Sequence, residues 1–113
     1  MDQLTEHRNL LGRILNVYVE LSNSQPKTGV ENVLIVDEQR GHYVWFRLGW
    51  ENGKRIKYLI VYVRLRDGKF WIEEDLTENG IATDLVREGV PREEIVLAFH
   101  DPETRKSTDF AAA

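Results

Sequence analysis

Four β-rich runs separated by glycine-bearing dipeptides constrain this chain most. The runs Val33–Val36, His42–Trp50, Ile56–Leu65 and Lys69–Ile72 are dense in β-branched and aromatic residues, and Arg40-Gly41, Asn52-Gly53 and Asp67-Gly68 stand between them. Asn-Gly and Asp-Gly reach the positive φ of the tight primed turns that match strand twist. Short connections of this kind join antiparallel neighbours, so the spacing predicts a four-stranded antiparallel meander.

The flanks of the sheet read as helical. From Asp2 to Leu21, apolar residues fall at Leu4, Leu11, Ile14, Leu15, Tyr18 and Leu21, one stripe at the 3.6-residue period. The turn-rich stretch Ser22–Gly29, with Pro26, ends that helix. After the sheet, Thr77 is placed to cap a second helix through Ile81, Leu85 and Val86 to a stop at Gly89. Pro91-Arg92-Glu93-Glu94 reads as one further turn with proline in first position, and Ile95–Phe99 as a possible fifth strand. Phe110 anchors an otherwise polar tail. The expected fold is α+β: an N-terminal amphipathic helix, a four-stranded antiparallel meander, a C-terminal helix and a possible fifth strand. The 113 residues match one domain, 1–113.

Several chemistries lack the residues they need. The chain has no cysteine, hence no disulfide, thiolate metal site or thiol nucleophile. His7, His42 and His100 are too far apart to aim two imidazoles at one metal from a single helix. His100-Asp101 has no further ligand set around it, and the acidic cluster Glu73, Glu74, Asp75 and Glu78 matches no calcium loop. No Gly-x-Ser-x-Gly or phosphate-binding glycine loop occurs. The expectation is a protein with no catalytic residue, cofactor or metal. No apolar run approaches the roughly 20 residues needed to span a bilayer, and a cytoplasmic location is expected. A net charge of −4 disfavours direct contact with a phosphate backbone.

Strand alternation divides the longest run into Leu59, Val61, Val63 and Leu65 on one face and Tyr58, Ile60, Tyr62, Arg64 and Arg66 on the other. The neighbouring run offers Tyr43, Trp45 and Arg47 on one side. If the register aligns them, Tyr43, Trp45, Tyr58, Tyr62, Arg64 and Arg66 form an aromatic and arginine surface suited to a protein partner or a homodimer. Stacking of single-stranded bases on that surface is an alternative, and a metal-dependent hydrolase built on Glu73, Asp75 or His100-Asp101 is another. The basic cluster Lys54, Arg55 and Lys57 reads as a solvated hairpin.

The second half carries Gly49-Trp50, Lys69-Phe70-Trp71-Ile72, Asp75-x-Thr77-Glu78, Gly80-Ile81-Ala82, Gly89-Val90-Pro91, Ile95–Phe99 and Arg105-x-x-Thr108-x-Phe110-Ala111. In this order and spacing the chain resembles the XisI family, excision controlling factors of the fdxN element in cyanobacteria. The resemblance implies an accessory role in programmed DNA excision during heterocyst differentiation, beside a site-specific recombinase and a companion protein of the XisH family, with DNA met indirectly. It implies no active site. Gly49, Trp50, Asp75, Thr77, Gly89, Pro91, Arg105 and Phe110 are then structural positions: a strand end, a helix cap, a helix stop and a tail anchor.

Overall fold

The computed structural model describes residues 2–24 and 29–113. Of the turn expected over Ser22–Gly29, residues 25–28, with Pro26, lie outside them. The first helix, α1, spans Gln3–Asn23, with the Asp2 carboxylate accepting from the Thr5 amide at 2.7 Å as N-cap. His7, Leu11, Leu15 and Val19 make its buried stripe, whereas Leu4 and Leu21, at its ends, stay exposed.

Strands β1 (Val30–Asp37), β2 (His42–Glu51), β3 (Lys54–Arg66) and β4 (Lys69–Asp75) pair in sequence, all antiparallel. The turns have the expected chemistry: Asn52 and Gly53 take φ of 51° and 78°, Asp67 and Gly68 53° and 75°. The fifth strand exists. β5 (Ile95–Leu97) pairs parallel with β4, giving one mixed sheet in the order β1-β2-β3-β4-β5.

Helix α2 (Ile81–Arg87) corrects the expected cap: Thr77 lies too early, and the N-cap is Gly80. The donor at the helix start is satisfied by Asp75, whose Oδ2 accepts from the Ile81 amide at 2.6 Å while Oδ1 accepts from the Thr77 amide and hydroxyl. Thr77 in turn accepts from the Gly80 amide, so the two residues brace the loop together. The stop at Gly89 is as expected. Its φ is 97°, its amide donates to the Val86 carbonyl, and the Val90 amide donates to Leu85, a Schellman closure with both apolar partners buried. Gly89→Ala should therefore cost about 1 kcal/mol, read as a lower urea midpoint at unchanged slope.

Pro91 precedes the following 3-10 turn (Arg92–Glu94) as its cap and does not occupy its first position. The tail holds a helix that the sequence reading passed over, α3 (Pro102–Lys106). Asp101 caps it, accepting from the Glu103 and Thr104 amides, and Pro102 takes the first position. The core gathers Leu11, Leu15, Tyr43, Trp45, Val61, Val63, Phe70, Ile72, Ile81, Leu85 and Ile95 between α1, α2 and one face of the sheet.

Candidate functional site

Register and two β-bulges decide which side chains share a face. Along β2 and β3, Trp45 stands opposite Val61 and Phe46 opposite Leu59, which leaves Ile60 as an extra residue. Along β3 and β4, Tyr62 stands opposite Glu74 and Val63 opposite Ile72, which leaves Glu73 extra. An added residue exchanges the two faces for everything beyond it. Simple alternation along β3 therefore fails at Ile60, which is buried at 5% exposure, while Leu59 lies beside Phe46 on the opposite face.

The expected aromatic surface is divided, by the register for Tyr43, Trp45 and Tyr62 and by the bulge at Ile60 for Tyr58. Tyr43 pairs with Val63 and Trp45 with Val61, so both face the helices, at 1% and 4% exposure. They are core residues, and burial pushes the Tyr43 phenol above its ordinary range. Tyr58 pairs with Arg47 on this same helix side, at the sheet margin, and its ring is exposed. Tyr62 and Arg64 point to the other face, where they pair with Val44 and His42. Arg66 follows them at the strand end, its guanidinium 5.0 Å from the Trp71 ring centre. The six residues therefore assemble neither one hot-spot patch nor one base-stacking platform.

The face opposite the helices carries Val33, Ile35, Val44, Phe46, Leu48 and Leu59 across β1–β3, all half-buried or exposed, with Ile35 at 51%. A polar margin borders it toward β4: the Tyr62 hydroxyl bonds His42 Nδ1 at 2.8 Å, and Arg64 Nε donates to Glu73 Oε2 at 3.0 Å. Beyond that margin, Val96 on β5 is fully buried and bridges to Ala111, so the tail covers this end. Arg105 holds the tail, donating to the carbonyls of His100, Ala98 and Ala112, with Trp71 5.9 Å from its guanidinium. Thr108 accepts from the Phe110 amide, and the Phe110 ring packs against the core beneath Arg92.

The remaining sequence candidates have local tasks. Gly49 lies where β2 meets the start of β1, and Trp50 is exposed, with Arg55 5.5 Å from its ring centre. Of the acidic cluster, Glu73 pairs with Arg64 and Asp75 braces the turn into α2. Asp101 caps α3, and its side-chain bond from Thr104 lowers its carboxyl pKa. Among the described residues no three histidine, aspartate or glutamate side chains converge on one point.

A polar network on the helix side was not anticipated. Asn32 on β1 is buried, and its Oδ1 accepts from Trp45 Nε1 and from Arg47 Nε, each at 3.0 Å. Asn23, the last residue of α1, bonds both the amide and the carbonyl of Asn32, as a neighbouring strand would. Nearby, the Tyr18 hydroxyl donates to Asp84 at 2.5 Å, and burial together with this bond pushes its pKa up to about 12. The available signal was Asn32 itself, a polar residue inside an apolar strand.

The model of the XisI protein family matches residues 1–112. No curated protein matches the chain. Among solved structures, the chain is similar to the fdxN element excision controlling factor XisI from Anabaena variabilis ATCC 29413, at 42% identity and a TM-score of 0.85, over 99% of this chain and 100% of that one. It is also similar to a XisI-like protein from the same organism, at 36% identity and a TM-score of 0.89, over 97% and 99% of the two chains. With whole-length matches in both sequence and fold, the chain belongs to the XisI family.

Proposed function

We propose that this chain is a non-catalytic controlling factor for DNA excision that works in the cytoplasm by protein–protein contact, and that its docking surface is the face of β1–β3 opposite α1 and α2. The observation that carries this reading is the apolar field of Val33, Ile35, Val44, Phe46 and Leu59 with Tyr62 and Arg64 at its margin. α1 and α2 both pack on the opposite face. Contiguous apolar surface with a polar, arginine-bearing rim is the make-up of a protein interface. A relative bearing the description of an excision controlling factor supports the biological setting. The occupant is the companion protein of the XisH family, and the recombinase is reached through that complex.

The test is co-purification of the companion with wild-type protein, with Ile35→Asp and with Tyr62→Ala plus Arg64→Ala. Ile35 is exposed, so its substitution leaves the core intact while placing a charge in the contact. About a 100-fold loss of affinity is expected for Ile35→Asp. An unchanged complex with both variants removes this face from the account, and a homodimer dissociated by Ile35→Asp would replace the companion with a second copy.

A further inference from the structure

On the other side of the sheet, Tyr18, Trp45, Arg47, Tyr58, Ile60 and the loop Leu76–Glu78 enclose a groove of about 370 Å³. Its volume is that of a small-ligand site, and its walls are mostly aromatic and aliphatic. Arg47 is its fixed cation. The Nε atom donates to Oδ1 of the buried Asn32, one terminal nitrogen donates to the Tyr58 hydroxyl at 3.3 Å, and the Trp45 and Tyr58 ring centres each lie 5.9 Å from the guanidinium carbon.

Arg13, Arg40, Arg64, Arg66 and Arg87 each pair with a carboxylate. Arg47 is half-buried, yet no carboxylate of the described residues pairs with it. A guanidinium already oriented by neighbours loses little freedom when an anion arrives, and its planar fork matches a carboxylate better than a point charge would. Partial desolvation by the two rings strengthens that attraction. Glu78, in the wall, opposes it and disfavours multiply charged anions.

We propose that the groove binds a single carboxylate carried on an apolar or aromatic body, the carboxylate on Arg47 and the body against Trp45, Tyr58 and Ile60. A free small carboxylic acid and the C-terminal carboxylate of a peptide present the same chemistry. The site lies on the face opposite the proposed protein-docking surface, so either can fail without the other.

The probe is sodium 3-phenylpropionate, titrated into the whole chain and followed by amide chemical-shift changes, with 3-phenylpropionamide as the uncharged control. Saturable binding with a dissociation constant of about 1 mM is expected for the acid, with shifts centred on Arg47 and Tyr58. Arg47→Gln should weaken it about tenfold or more, Arg47→Lys should weaken it less, and Glu78→Gln should tighten it about twofold to threefold. A short peptide ending in phenylalanine, free acid against amide, assigns the source: tighter binding of the peptide acid than of phenylpropionate means a peptide terminus, weaker binding a free acid. No saturation by about 20 mM, equal binding of the amide, or undiminished binding in a folded Arg47→Gln or Arg47→Lys protein would overturn the proposal.

Discussion

Gly49→Ala is expected to destabilise the protein by about 3 kcal/mol or more, lowering the thermal midpoint by roughly 10 °C. A Cβ at this position would sit 1.9 Å from the Gly29 carbonyl oxygen and 2.8 Å from the Val30 Cα, and the backbone φ is 147°. Those atoms are main chain and cannot rotate aside. The hydrogen bond from the Trp50 amide to Gly29, at 2.8 Å, holds the two segments together at this point. Relieving the clash therefore means opening the junction of β1 and β2. Gly53→Ala is the internal comparison, since Gly53 also has positive φ but nothing within 4 Å of a built Cβ. It should lose only the conformational term of about 1 kcal/mol. Equal losses in thermal denaturation of the two variants would show that steric approach is not what Gly49 provides.

The same contrast explains how much was legible in the sequence. Turn residues report their own backbone needs, so Asn52-Gly53, Asp67-Gly68 and Gly89 announced the hairpins and the helix stop directly. Strand composition announced β1–β4, and a short apolar run after Pro91 announced β5. Its parallel pairing was not visible, because direction depends on where the intervening α2 returns the chain. Asp101-Pro102-Glu103 did carry a helix-start signal, and a five-residue helix is short enough to pass as tail.

Faces were the harder problem. Alternation assigns them correctly only while pairing advances one residue for one residue, and Ile60 and Glu73 each interrupt it. Nothing in a Leu-Ile-Val run marks which member is extra. Register added to the difficulty: Tyr43 and Trp45 pair with Val63 and Val61 and not with Tyr62, so they became core on one face while Tyr62 became surface on the other. The groove at Arg47 exists because the bulge at Ile60 brings Tyr58 beside Arg47 on the helix side and buries Ile60 in its floor.

Asn32→Ala is expected to cost about 2–4 kcal/mol, far more than its loss of buried area, because the side chain serves three partners at once. Removing it leaves the buried Trp45 Nε1 without an acceptor, frees the Arg47 guanidinium, and takes away one donor to Asn23 Oδ1. The main-chain bonds between Asn23 and residue 32 survive the change, so α1 should remain docked while the Trp45 environment alters. Urea denaturation then shows a lower midpoint, and near-ultraviolet circular dichroism shows loss of the ordered tryptophan signal in the native baseline. Asn32→Asp separates the roles. A carboxylate still accepts from Trp45 and Arg47, the latter now as a charged pair, but it cannot donate to Asn23 and sets oxygen against oxygen there. Its stability loss should be smaller than that of Asn32→Ala, with the tryptophan signal kept. It should also abolish phenylpropionate binding, because the new carboxylate neutralises the cation the ligand needs. A loss below about 0.5 kcal/mol for Asn32→Ala would show that water replaces the amide at Trp45, and that Arg47 is held by the flanking rings alone.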